Sequence, residues 1–243
     1  MRSLFAHNLI KTGTGILLCL VLFIPNFISA DVSKLNPKLG QFGSTITKEF
    51  GSIPEERNTN LNKLALFITS KIKAKEKVNL VFICTHNSRR SHMSQIMAKT
   101  ASIYYDIPGV ETYSGGTEAT AFNPRAIKAL QKAGVDISTS DESKNPKYKV
   151  SLGKPVPTII AYSKKYSDSE NPSSNFAAVL TCSQADKNCP NVEGAVIRIS
   201  LPFEDPKEFD NTPEEEAKYD ERLKDISREM FKVFALVKEN LKQ

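Results

Sequence analysis

The chain is poor in the residues that usually build metal centres, with three histidines and four cysteines in 243 residues. His7 and His92 stand at no ligand spacing from any cysteine, so no metal is expected. It also lacks a Lys/Arg block: the formal charge of +6 is spread along the chain with acidic residues interleaved, which reads as a solvated basic surface and argues against a nucleic-acid partner. No apolar run approaches the roughly 20 residues of a comfortable membrane span, and no internal repeat is visible, which excludes a solenoid. What remains, 40% hydrophobic, suits a globular protein with core enough for one α/β domain plus extensions, expected to be a monomer.

The first thirty residues differ from the rest. Arg2 and Lys11 precede an apolar run from Ile16 to Ile24, then Pro25, Asn26 and Ile28-Ser29-Ala30 before Asp31. That is the order of a secretory signal, and cleavage after Ala30 is expected, giving a periplasmic or secreted protein. The alternative is an uncleaved segment that anchors the chain to a membrane. Leu18 before Cys19 lacks the small residue that a lipoprotein site needs. Removal of the signal leaves Cys84, Cys182 and Cys189, three thiols that cannot all pair within one chain. One static disulfide with a free cysteine is one reading; a reactive cysteine with a resolving pair is the other.

Residues 31–76 form a polar extension in which Leu61, Leu64, Ala65, Ile68 and Ile72 recur at helical spacing, predicting an amphipathic helix within 54–73. The main domain, 77–243, opens with VNLVFI at 78–83, a strand-length apolar run. A helical pattern follows from Ser91 to Tyr105, with Met93 and Met97 read as core. A short strand ends at Tyr113, Gly115-Gly116 marks a turn, and Asn123-Pro124 starts a helix that Gly134 stops. The polar stretch from about 139 to 175 reads as an insertion carrying one added strand at Val156–Tyr162. Phe176–Thr181 and Ala195–Ile199 are further strands, and Thr212-Pro213-Glu214-Glu215 is a capping box opening a helix to about Leu241. The fold class expected is therefore α/β, an open parallel sheet with helices on both faces and ligands at the strands' carboxyl ends.

The chemistry concentrates in CTHNSRRS, Cys84 to Ser91, between a strand and a helix. Such a loop turns its backbone amides on one point, and the helix N-terminus adds positive potential there. Thr85, His86, Asn87, Ser88, Arg89, Arg90 and Ser91 would then bind a tetrahedral oxyanion. Arg90 is the fork that holds two of its oxygens, and Cys84 is the nucleophile that the same field keeps as a thiolate. By composition alone the pattern recurs in about one chain in forty. Its placement between strand and helix is what carries weight.

VFICTHNSRRSHMSQ resembles the active-site signature of the low-molecular-weight protein tyrosine phosphatases and of the thioredoxin-coupled arsenate reductases that share their fold. The likeness runs through TYSGGTEATAFNPRAIKALQKAGVDIS and resumes at Val179–Pro190 and FEDP, covering about 78–138 and 176–241. The resemblance implies that Asp205, before Pro206, is the general acid. It also implies that TCSQADKNCP supplies the resolving pair Cys182 and Cys189. In that scheme Cys84 attacks arsenate, Cys182 then attacks Cys84 and releases arsenite, and Cys189 attacks Cys182. No cofactor is bound; a thioredoxin-like thiol partner regenerates the enzyme. In the phosphatase branch the substrate is a phosphotyrosine protein or small phosphoester, and water hydrolyses a phosphocysteine. A non-catalytic oxyanion-binding module is the third reading. Three positions depart from the reductase pattern: His86 for a glycine, Arg89 for a cysteine, and Gln95 for a glutamate that helps hold a potassium ion. Asn87 and Ser114 match loop-supporting positions. An oxidising compartment would tend to lock Cys182 to Cys189, which favours the phosphatase.

Overall fold

The computed structural model describes residues 32–188 and 191–243; the expected signal segment and Cys189 lie outside them. The extension contributes α1 (Pro37–Ile46) and α2 (Asn58–Lys73). There follow β1 (Val78–Cys84), α3 (Arg90–Tyr104), β2 (Val110–Gly116), α4 (Pro124–Ala133), β3 (Asp136–Ser138), β4 (Tyr148–Ser151) and β5 (Ile159–Ala161). The chain ends with β6 (Phe176–Leu180), α5 (Ser183–Asn188), β7 (Ala195–Ser200) and α6 (Glu215–Asn240).

The main sheet has the order β2-β1-β6-β7, with every pairing parallel. Leu80 and Phe82 of β1 join Ala177, Val179 and Ile199 in a large core filled from α2, α3 and α6. Leu39, Ile46, Leu61, Leu64 and Ile68 of the extension are buried in that same core. The opposite face is thinner: Val81, Ile83, Ala178 and Leu180 pack with Ala185 of α5 and with Val192 and Tyr166. The parallel sheet between helices is the expected class. The second face is covered by one six-residue helix and irregular chain.

Several local expectations hold. Asn123 accepts from the Arg125 amide at 2.9 Å, Pro124 is the first residue of α4, and Gly134 closes it at φ 103. Met93 and Met97 are buried. Others need correction. One helix was expected in the extension, and α1 precedes it, a ten-residue helix that contains Gly40 and Gly43. A Cβ on Gly43 would lie 2.8 Å from the Phe231 ring, so the glycine is what lets α1 sit against α6. One strand was expected in the polar stretch, yet β4 and β5 are both there; β4 pairs antiparallel with β3 on one side and β5 on the other, making a second sheet. In β4 only Val150 is fully buried, too little alternation to see in four residues. Gly115 and Gly116 end β2 rather than forming a turn. The capping box is displaced: Glu215 accepts from the Asn211 amide at 2.6 Å, and the Thr212 hydroxyl accepts from the Glu214 amide at 3.3 Å.

β2 is an edge strand, and side chains cap every second carbonyl along it. Lys99 Nζ donates to Val110 O (2.6 Å), Gln95 Nε2 to Thr112 O (3.0 Å) and Asn171 Nδ2 to Ser114 O (3.1 Å). Such capping blunts an edge that would otherwise pair with another chain.

Candidate active site

After β1 the chain crosses through α3 to β2 on one side of β1, and later returns to β6 on the other. The carboxyl end of β1 is thus a topological switch point, where open α/β sheets leave a crevice. Cys84 is the last residue of that strand and is 3% exposed.

The loop is held by main-chain contacts to the segment that follows β2. Thr85 O accepts from the Glu118 amide (2.8 Å), and Asn123 N donates to Ser88 O (2.9 Å). A Cβ on Gly116 would lie 2.7 Å from both Asn87 N and Thr85 O, so only glycine admits the loop at this height. Asn87 takes φ 43, a left-handed conformation that asparagine tolerates. Its Nδ2 donates to Ser91 Oγ at 2.8 Å and its Oδ1 accepts from the Lys164 amide at 2.9 Å. Ser91 Oγ lies 3.1 Å from Cys84 Sγ, placed to donate to sulfur as a nucleophile or a leaving group. The N-cap of α3 makes no side-chain hydrogen bond, which leaves the first-turn amides for an anion.

Arg90 Nη2 donates to Asp205 Oδ2 at 2.6 Å and Nη1 to Phe203 O at 2.8 Å. The expected clamp and the expected acid therefore meet, and an incoming oxyanion competes with the Asp205 carboxylate for the Arg90 fork. Asp205 Oδ1 also accepts from the Lys207 amide at 3.2 Å and lies 3.8 Å from Arg89 Nε. Arg89 faces α6, where its Nε donates to Tyr219 OH at 3.2 Å. Tyr219 in turn donates to Asp210 Oδ1 at 2.8 Å, and burial with that carboxylate pushes its phenol up to about 12. His86 carries its side chain outward, within 3.2 Å of Glu118 Oε2. His86 is not among the positive-φ residues, so the loop does not require glycine there. Ser88 Oγ donates to Ala121 O at 2.7 Å.

Cys182 is 1% exposed, just past the end of β6, and both it and Cys84 are free thiols. The register pairs Ile83 with Leu180, which puts the two cysteines at the carboxyl ends of adjacent strands. Cys182 Sγ lies 3.5 Å from Thr85 Oγ1 and accepts from the Ala185 amide at 3.3 Å. Its partner in the expected resolving pair, Cys189, is outside the described residues.

Two residues of α3 were singled out by sequence for other reasons. His92 is buried, stacked on Phe122 at 4.0 Å, with Nδ1 3.2 Å from Ser114 Oγ. Burial, helped by the Lys164 ammonium, lowers its pKa to about 3. Between about pH 3 and the 6.5 of an ordinary imidazole, the unfolded chain binds a proton that the folded one refuses, so stability falls as pH drops below 6.5. The cost approaches about 1.4 kcal/mol per pH unit. Urea unfolding should show the wild type losing about 2 kcal/mol more than His92→Gln between about pH 6.5 and pH 5; parallel pH profiles would contradict this. Gln95 borders a cavity whose wall carries Lys99, Lys147 and Lys164. The same wall carries the Glu111 and Glu170 carboxylates, Glu111 within 3.5 Å of Lys99, and no step is derived through a potassium ion.

Sequence reasoning missed Tyr219 and Lys164, which reach the site from distant segments without a local signature, and it assigned no role to Phe203 within FEDP. A family model described as low molecular weight phosphotyrosine protein phosphatase matches residues 79–164. The arsenate reductase of Bacillus licheniformis is 33% identical over 164 residues, spanning 65% of this chain and 96% of that protein. That of Staphylococcus aureus strain Newman is 36% identical over 132 residues, 54% of this chain and 79% of its own. The solved structure of the thioredoxin-dependent arsenate reductase of Corynebacterium glutamicum aligns at 16% identity over 82% of this chain and 96% of that one, with a TM-score of 0.38.

Proposed function

Because the chain belongs to the low molecular weight phosphotyrosine protein phosphatase family, we propose that it applies the family's cysteine nucleophile to arsenate and acts as a thiol-dependent arsenate reductase. The observation that carries this reading is Cys182, a buried free thiol one hydrogen bond from Thr85 and at the end of the strand beside Cys84. A hydrolase has no use for a second thiol there.

Cys84 Sγ attacks arsenic, held by the loop amides and the Arg90 fork; an S–As bond forms and one oxygen leaves as water, with Asp205 supplying a proton. Cys182 Sγ then attacks Cys84 Sγ. A disulfide forms, the S–As electron pair passes to arsenic, and As(V) departs as As(III) arsenite. Cys189 attacks Cys182 Sγ, which returns Cys84 as a thiolate, and an external dithiol of the thioredoxin kind reduces the Cys182–Cys189 disulfide. We place this cycle outside the cytoplasm on the strength of residues 1–30, which requires a thiol donor in that compartment.

The second reading is phosphatase chemistry, favoured by Asp205 at 2.6 Å from Arg90: an acid at that mouth serves a leaving phenolate as well as it serves arsenate. Water would then cleave a phosphocysteine on Cys84.

The two separate in one experiment. Protein lacking residues 1–30 is assayed for arsenate-dependent NADPH consumption with thioredoxin and its reductase, and for hydrolysis of para-nitrophenyl phosphate. Reductase turnover is expected in the wild type and should vanish in Cys182→Ser, since the arsenic adduct on Cys84 then has no resolving thiol. Phosphoester hydrolysis untouched by Cys182→Ser, with no arsenate-dependent NADPH loss, selects the phosphatase. Phosphate binding without either turnover selects the binding module.

A further inference from the structure

A hollow stands away from Cys84. It lies in the seam between the edge strand β2, with α3 behind it, and β5 of the second sheet, and its volume is about 500 Å³. Space of that size is in the range of small-molecule sites, roughly 300–1,000 Å³.

Its wall is cationic on one side. Lys147 and Lys164 stand over the Tyr162 ring at 5.0 and 4.5 Å, and neither has a carboxylate within ion-pair distance among the described residues. Lys164 is only 6% exposed, and burial lowers the pKa of its amine, while the Asp168 and Glu170 carboxylates act the other way, Glu170 from the wall of the same cavity without contacting the ammonium. A buried ammonium without a counter-ion is costly, and a bound anion relieves that cost. Lys99 adds no free charge, being held by Val110 O and by Glu111 at 3.5 Å. The opposite wall offers hydrogen-bonding atoms that nothing uses. Gln95 Oε1 and Thr112 Oγ1 have no partner, in side chains 4% and 7% exposed. Gln95 spends its amide on the β2 edge and turns out an acceptor, which calls for a donor hydrogen.

We propose that this seam is a second ligand site, taking a small organic anion whose carboxylate or phosphate monoester lies between Lys147 and Lys164 and whose hydroxyl or N–H reaches Gln95 and Thr112. Inorganic phosphate would fill little of the volume and would leave Gln95 Oε1 unpaired. The groups that would hold this ligand are side chains that make no contact with Cys84, so it can be tested with the anion clamp of the loop removed.

Backbone amide NMR spectra of Arg90→Ala protein, in which the loop has lost its clamp, are titrated with glycerol 3-phosphate, citrate and, as an uncharged control, glycerol. The expected result is saturable shifts at amides 111–113 and 159–165 with one or both anions and none with glycerol. Lys164→Met and Lys147→Met should each weaken that binding by about tenfold, the loss of one charge-assisted hydrogen bond. Lys147→Met keeps the test decisive if Lys164→Met fails to fold. Shifts confined to 84–91, no saturation with either anion, or undiminished affinity in the lysine variants would overturn the proposal.

Discussion

Replacing Cys84 by serine is expected to reduce turnover by about 10⁴-fold or more, whichever oxyanion is the substrate, while leaving the anion site intact. The exchange removes one heavy-atom type at a position that is 3% exposed and changes little in packing. Ser91 Oγ and the Arg90 fork stay where they are, so inorganic phosphate should still bind and inhibit. What disappears is the nucleophile: an alcohol is a far weaker acid than a thiol, and neither the helix terminus nor Arg90 can hold it ionised at neutral pH. A disulfide can no longer form at this position either, which closes the reductase route. Turnover numbers measured beside phosphate affinity separate this outcome from unfolding. Retained activity above about one part in a hundred would mean that the central thiol has been misassigned.

What could be read from the sequence was local. An apolar run ending at Cys84 and a helix pattern starting near Ser91 need only neighbours along the chain, and the observed boundary at Arg90 differs by one residue. Gly134 and Asn123-Pro124 announced the ends of α4 because caps are themselves local chemistry. The failures share one cause, which is that a distant partner decides the outcome. Helix α1 was not expected at all, and the close approach of Phe231 and Tyr104 makes Gly43 the residue it needs. Gly116 looked like a turn, and its actual duty is to make room for Asn87 and Thr85. The same holds at the site. Asp205 was found through its Pro206 neighbour and a family likeness, whereas Tyr219, which holds Arg89, had no motif to betray it. Lys164 sits in a polar stretch that reads as loop, and only the folded chain carries its ammonium into a cavity with Gln95.

Arg57 carries the other large effect, and it does so from the extension. Its guanidinium makes a two-pronged contact with Glu229 of α6, one prong from Nε to Oε1 and the other from Nη2 to Oε2 at 2.9 Å. Its carbon lies 4.9 Å from the Phe203 ring. Glu229 is 4% exposed, and burial raises its pKa even though Arg57 pulls it back. Arg57→Ala therefore leaves a buried carboxylate alone, and urea unfolding should register a loss of about 3–5 kcal/mol. Removing both charges at once, in Arg57→Met with Glu229→Met, should recover most of that loss, since the pair's desolvation cost disappears with its attraction. The single change should also reach the anion site. Phe203 offers its carbonyl to Arg90 and lies two residues from Asp205, so a Phe203 ring no longer covered by Arg57 loosens the segment that aligns clamp and acid. In buffer where the variant remains folded, the KM for the oxyanion should rise several-fold. Were the double variant no more stable than Arg57→Ala, the buried charge would not be the cause, and packing of the Arg57 stem against Phe203 would have to account for the whole effect.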